Sequence, residues 1–305
     1  MQKRMICSLL LVFLILTLIY YSGKREVAQV HQEVTSFPPK PLRIVSLSLA
    51  ADEILLSLVE KERIQALTYL ALDPEISNVS SKALGVRNHI NTDAEKIIAL
   101  QPDLVITSSF TPSEVVSMLE EAGVPVFVFN LSSSLQEIKN NIIAIAQVVG
   151  EKEKGQALIK QMEQQETEII RKTNSIKHQS LRVLYYGFSG DVMGKSTQFD
   201  ELAQKLGLRN AAAEAGILGI VRLNKEQLIK LNPDLIYIPK WQAEGSTGLS
   251  PLRRDLLRDP SLASVEAVKH KRIYELPDQH FSCFSQYILL GMEDLARIAY
   301  PEAFQ

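Results

Sequence analysis

Apolar and polar positions along the chain follow two periods in turn. Arg43–Leu47 (RIVSL), Ile64–Thr68, Val126–Phe129, Arg182–Tyr186 (RVLYY) and Arg272–Leu276 are short apolar runs of strand length. Between them, apolar residues fall at helical spacing. Ala50, Ile54, Leu55 and Leu58 predict a helix with Ser48 as its cap, and Thr111-Pro112 predicts the start of another that ends at Gly123. Strand alternating with helix predicts a parallel sheet covered on both faces. From Leu135 the pattern changes. Ile138, Ile142, Ile145 and Val149 mark an amphipathic helix, and after Gly150 a charged helical stretch runs to about Thr173. At about 1.5 Å per residue the second stretch spans more than about 30 Å, so it predicts a helical spine rather than a short glycine-rich hinge. The strand and helix alternation then resumes. It runs through a loop at Gly187–Ser196, a helix ending near Gly207, a loop around Trp241, a helix from Pro251, a last loop at Pro277–Ser282 and a C-terminal helix through Ile288, Met292 and Leu295.

One stretch occurs twice. Asp93–Ile106 (DAEKIIALQPDLVI) returns as Asn224–Tyr237 (NKEQLIKLNPDLIY), with Glu95 and Glu226, Pro102 and Pro233, and Asp103 and Asp234 each 131 residues apart. Each copy reads as a polar cap, a first-turn glutamate, a short helix stopped by proline, and a buried strand. A unit built twice at this separation predicts two similar α/β lobes, each a parallel sheet flanked by helices, joined by a long interdomain helix. The expected boundaries are 42–134 for the first lobe, 135–178 for the spine and 179–305 for the second lobe. Two lobes imply a cleft.

The N-terminus stands apart. Lys3 and Arg4 precede an uninterrupted apolar run, Met5–Tyr21, which reads as an export signal over residues 1–23, either cleaved or kept as an anchor. Residues 24–41, with Pro38, Pro39 and Pro41, read as a semi-rigid tether. Cys7 lies too close behind the basic residues to take a lipid, and Cys283 is the one cysteine beyond this segment, so no internal disulfide is expected. The 305 residues are 46% hydrophobic and 22% charged, enough for a core in each lobe, and a net charge of −2 gives no reason to expect nucleic acid as a partner.

Enzyme motifs fail on spacing. Gly194-Lys195-Ser196-Thr197 resembles the end of a phosphate-binding loop, but Ser189 stands where its first glycine belongs. Gly187-Phe188-Ser189-Gly190 nearly spells a hydrolase elbow, but Asp191 stands at its closing glycine. No zinc-protease or calcium-loop pattern occurs, so the chain reads as a non-enzyme with no intrinsic cofactor.

RIVSLSLAADEIL, EKIIALQPDLVI, GKSTQFDELAQKLGL, EQLIKLNPDLIYI and VEAVKHKRIYELP together resemble the substrate-binding proteins of ABC importers for ferric siderophores, haem and cobalamin, over about Pro41 to Ala299. The resemblance implies a monomer at the outer face of the cytoplasmic membrane that captures a metal chelate between its lobes. It implies docking of Glu95 and Glu226 onto permease arginines, with the importer's ATPase reached through the permease. The cargo site is expected outside the carboxyl ends of the strands. That selects Tyr69, His89, Ser109, Phe110, Tyr186, Phe188, Lys195, Trp241, His280 and Phe281 as cleft residues, with Tyr185 assigned to the core. Aromatic rings suit a large flat ligand. His89 and His280 are candidate axial ligands to iron or cobalt, while Lys195, Arg222 and Lys240 would instead neutralise an anionic ferric siderophore. Cobalamin-binding members carry prominent tryptophan in the cleft, near where His89 and His280 stand here. The rival functions are a membrane-tethered sensor or storage protein and, more remotely, a phosphoryl-transfer enzyme.

Overall fold

Five parallel strands make the first sheet of the computed structural model. They are β1 (Ile44–Ser46), β2 (Ile64–Thr68), β3 (Asn88–Ile90), β4 (Leu104–Ser108) and β5 (Val126–Phe129), in the order β3-β2-β1-β4-β5. The structure describes residues 37–131, 134–174, 176, 181–240 and 250–305. The expected export signal and most of the tether lie outside the described residues. Among the described residues no helix is long and apolar enough to cross a membrane.

Between these strands run α1 (Leu49–Leu58), α2 (Ser80–Ala83), α3 (Ala94–Ala99) and α4 (Ser113–Glu121). Val45, Ala66, Ile97, Val105 and Leu119 form the buried core on one face of the sheet. Two capping expectations are corrected. Ser48 sits at the start of α1 without a side-chain cap bond, and α4 begins at Ser113, one residue after Pro112. The stretch expected as a long loop, 69–81, holds a 3₁₀ turn (Tyr69–Leu72) and the first turn of α2.

The spine is two helices. α5 (Leu135–Val148) packs its buried Ile138, Ile142 and Ile145 toward the first lobe and α6, and α6 (Lys152–Asn174) is the long, polar one. Glu166 of α6 ties the halves together, accepting from Lys139 of α5 at 3.2 Å and from Lys205 of α7 (Gln198–Lys205) in the second lobe at 2.8 Å. Burial acts to raise its pKa, but the two lysines outweigh it and hold the carboxyl below its ordinary value.

The second sheet is also parallel, with β6 (Arg182–Tyr185), β8 (Arg209–Asn210), β10 (Leu235–Lys240) and β11 (Ile273–Pro277) in the order β11-β10-β6-β8. An antiparallel ribbon that the periodicity did not predict pairs β7 (Asp191–Met193) with β9 (Ile220–Arg222). Around them lie α8 (Ala211–Glu214), α9 (Lys225–Leu231), α10 (Pro251–Arg258), α11 (Glu266–Lys269), α12 (Asp278–Phe281) and α13 (Ile288–Ala299). The core here is aromatic. Tyr185 stacks on Phe281 with ring centroids 5.0 Å apart, Phe199 meets Phe281 edge-on at 6.1 Å and Tyr237 at 5.9 Å, and the Tyr237 hydroxyl donates to the Leu295 carbonyl.

The repeat has a structural basis. In each copy the residue before proline takes a left-handed conformation, Gln101 at φ 49° and Asn232 at φ 39°. The following aspartate then fastens the next lobe strand: Asp103 accepts from the backbone N–H of Leu42 and Arg43, and Asp234 from that of Arg182. Arg43 and Arg182 in turn donate to carbonyls at the ends of α3 and α9, namely Leu100 and Gln101 in one and Asn232 in the other. Arg, Pro and Asp therefore recur because the same strand and helix junction is built twice.

Candidate functional site

Parallel strands point their carboxyl ends the same way, so the segments leaving β1, β2 and β5 gather at one edge of the first sheet. Ser48, Leu49 and Ala50 follow β1, Leu70 follows β2 and Leu131 follows β5. With Glu53 they face Ser282, Cys283 and Phe284, which follow α12 in the second lobe. These residues enclose a mainly apolar pocket of about 270 Å³ between the lobes. That is just under the range of about 300–1,000 Å³ typical of pockets that bury a whole small ligand. In this lobe arrangement the pocket takes only part of a large flat molecule.

Among the described residues of this lining Glu53 is the one ionisable carboxylate, and it is buried to 1% exposure. Its Oε1 accepts from the backbone N–H and the side-chain amide of Asn78, both at 2.9 Å, and its Oε2 accepts from the Ser285 hydroxyl at 2.5 Å. Burial pushes this carboxyl up, against the pull of those bonds and of the nearby His280. Its neighbour Asp52, wholly buried on the sheet side, accepts from the backbone N–H of Thr68 and from its hydroxyl, yet burial raises it to about 7. An unfolded chain releases that proton near the ordinary 3.8, so folding takes up a proton between about pH 4 and pH 7. Stability from this group is full below that window and lost as pH rises through it. Asp52→Asn is therefore expected to flatten this dependence, raising stability at pH 8 by on the order of 2 kcal/mol while changing little at pH 4. Thermal melts of both proteins at the two pH values check this.

The structure divides the sequence-predicted residues into groups. Tyr69 and Phe110 leave the ends of β2 and β4 and are 59% and 79% exposed, with Ser109 exposed beside Phe110. They stand at the strand ends outside the pocket, as exposed apolar surface free to meet a ligand. Tyr186 and Phe188 do not line the pocket between the lobes. They share a separate concavity of about 460 Å³ on the second lobe with Arg222, Leu252, Leu256 and the Lys225–Asp259 ion pair. Lys195 and Lys240 are exposed. Trp241 lies outside the described residues. Tyr185 is core, as expected.

Phe281 requires correction. It is 1% exposed, packed between Tyr185 and Phe199, because the single turn of α12 directs it inward; Phe284, three residues on, lines the pocket instead. Gly291 permits that packing, since a Cβ there would lie 2.6 Å from the His280 carbonyl oxygen.

The two histidines differ. Neither is among the described residues lining the pocket between the lobes, and His89, in edge strand β3, places Nε2 3.2 Å from the Ala83 carbonyl. His280 in α12 is half-buried, with Nδ1 2.7 Å from Asp294 Oδ2. In the neutral ring that bond fixes the proton on Nδ1 and leaves Nε2 the acceptor, the arrangement of an oriented metal-binding imidazole. Among the described residues no group of three or more His, Cys, Asp or Glu could hold an ion by itself. The segment resembling a phosphate loop has a structural role. Thr197 caps α7, its hydroxyl donating to the Gly194 carbonyl and accepting from the Asp200 N–H.

None of the described lining residues was selected from the sequence as a cleft residue: Ser48, Ala50 and Ser282 were read only as cap, helix and loop, and Glu53, Leu49, Leu70, Leu131, Cys283 and Phe284 were not considered for the cleft. Glu53 shares its helix with the acidic Asp52 and the polar Ser57, so its charge alone does not single it out in the sequence.

Comparison with known proteins bears on the same region. The family described as periplasmic binding protein matches residues 44–280. An uncharacterized ABC transporter substrate-binding lipoprotein, YvrC, of Bacillus subtilis is 27% identical over 283 residues, covering 90% of this chain and 85% of its own. The iron-uptake system-binding protein of Bacillus subtilis is 26% identical over 204 residues, covering 65% of this chain and 62% of its own. Among solved structures, the periplasmic heme-binding protein RhuT from Roseiflexus sp. RS-1, in apo form, superposes with a TM-score of 0.72 at 27% identity, over 86% of this chain and 98% of that one.

Proposed function

The chain belongs to the periplasmic binding protein family, and from that premise we propose that it captures a metal chelate, a ferric siderophore, haem or cobalamin, between its lobes outside the cytoplasmic membrane and delivers it to an ABC importer permease. Proteins of this family bind their substrate rather than transform it. The observation that carries the reading is the pocket built jointly by both lobes at the carboxyl ends of parallel strands, apolar in its walls and flanked by the exposed Tyr69 and Phe110. An aromatic and aliphatic wall suits a chelate with a broad apolar face. The exposed Lys195, Arg222 and Lys240 on the second lobe supply positive charge for a chelate with acidic substituents. His280, held by Asp294 and near enough to Glu53 of the pocket lining for its charge to act there, is the better placed of the two histidines to reach an open position on the metal. Relatives described as substrate-binding proteins favour delivery over storage or sensing.

Isothermal titration of the protein with haem, cyanocobalamin and a ferric catecholate siderophore tests the reading. We expect one of the three to bind at one site with micromolar affinity or better, and His280→Ala to weaken haem binding by about tenfold if haem is that cargo. Absence of saturable binding by all three would overturn the assignment of the cargo class.

A further inference from the structure

The pocket between the lobes is smaller than any cargo of the proposed class, so its size depends on how far apart the lobes stand, and one knot of hydrogen bonds bears on that spacing. Beneath the pocket, Glu53 of the first lobe accepts from the Ser285 hydroxyl of the second at 2.5 Å, and its backbone carbonyl accepts from the Gln286 side-chain amide at 2.9 Å. The same Gln286 amide donates to Ser57 at 3.0 Å. Asn78, which donates twice to Glu53, also donates to the Gln279 carbonyl of the second lobe. Ser285 and Gln286, in the turn between α12 and α13, are thus bonded to Glu53 and Ser57 of α1, and Gln279 of α12 to Asn78. All partners are buried or half-buried, Ser285 to 0% and Gln286 to 8% exposure, so water does not compete for the bonds.

We propose that Glu53 is a positioning residue that clamps the two lobes at a set spacing, so that the clamp must yield for cargo to enter the pocket fully. Three features of the geometry support a clamp over ordinary core packing. Glu53 spends both carboxylate oxygens, and one of them goes across the lobe boundary. Its side chain is at once part of the pocket lining and the acceptor for the second lobe, so a molecule pressing on the pocket floor presses on the clamp. Among the described residues this acidic group has no partner of opposite charge in direct contact, only neutral donors, which a neutral amide could replace with little change of shape. The consequence for transport rests on the reading of the cleft as the cargo site; the clamp itself is measured without cargo.

The test uses the full chain in detergent with Cys7→Ser, Cys283 being buried, and spin labels on Ser117→Cys in α4 and Arg254→Cys in α10, both at exposed positions. Pulsed electron resonance then reads the distance between lobes. The unaltered clamp is expected to give a single narrow distribution. Glu53→Leu, which removes both acceptors, should add a second, longer population. Glu53→Gln should restore the narrow one, because its carbonyl accepts from Asn78 and its amide donates to Ser285. A role in folding alone would lower the melting temperature without changing the distance. If Glu53→Leu fails to fold, Ser285→Ala with Gln286→Leu removes the same contacts from the other lobe and should show the longer population. A wild-type distribution in the folded Glu53→Leu protein or in the Ser285→Ala, Gln286→Leu protein overturns the proposal, as does Glu53→Gln behaving like Glu53→Leu. None of these outcomes depends on whether haem, cobalamin or a siderophore binds, so failure of the cargo assignment is told apart from failure of the clamp.

Discussion

Replacing Glu95 and Glu226 together by alanine is expected to abolish delivery while leaving chelate affinity and fold intact. Both side chains are exposed, and neither forms an ion pair among the described residues. Each stands in the first turn of its helix, α3 or α9, where the dipole favours a carboxylate by only about 0.3–1 kcal/mol. Capping does not require them. Asp93 caps α3 by accepting from the Lys96 N–H, and in α9 the reciprocal box is made by Asn224 with Gln227, the residue after Glu226. A glutamate that the helix does not need, kept in the same register in both halves, is suited to an outside partner. Arginine forks on a permease would take each carboxylate in charge-assisted bonds. If loss of each pair costs about 2–5 kcal/mol, the double substitution weakens docking by at least about three powers of ten. Binding of the chelate-loaded protein to purified permease in nanodiscs measures this, with thermal melts as the control. Undiminished docking by the double variant would show that the two glutamates are no more than helix-end charges.

Phe281→Ala is expected to give the opposite pattern, a large loss of stability with chelate affinity preserved in the protein that remains folded. The ring is fully buried between Tyr185 and Phe199, and Phe199 continues the contact to Tyr237. Emptying that position removes its transfer free energy and leaves a cavity that surrounding rings cannot collapse into, for a cost of about 3–5 kcal/mol. Chemical denaturation compared with the unaltered protein reads the change. A variant of normal stability and weakened chelate affinity would instead return Phe281 to the cleft.

The lobes, the strand ends and the repeat were legible because each rests on local pattern: strand-length apolar runs, proline stops and Glu, Pro and Asp repeated in one register. The structure adds the reason for the repeat, in Asp103 and Asp234 fastening the strands that begin at Arg43 and Arg182. The spine was legible from its length and charge. The ribbon of β7 and β9 was not, since each strand is three residues long and β9 is exposed throughout. Phe281 was misplaced because a one-turn helix directs adjacent residues to opposite sides, and no periodicity exists over four residues to say which is inward. Glu53 was missed for a different reason. Its partner Ser285 lies 232 residues away, so nothing local marks either residue as half of a contact between lobes.

The most direct test of capture between the lobes is hydrogen–deuterium exchange of the full chain with and without the chelate that binds in the titrations. The account predicts added protection in both halves of the pocket at once, in residues 47–50 and 69–72 of the first lobe and in residues 282–286 of the second. Protection confined to one lobe, or centred on the separate concavity of Tyr186 and Phe188, would contradict it.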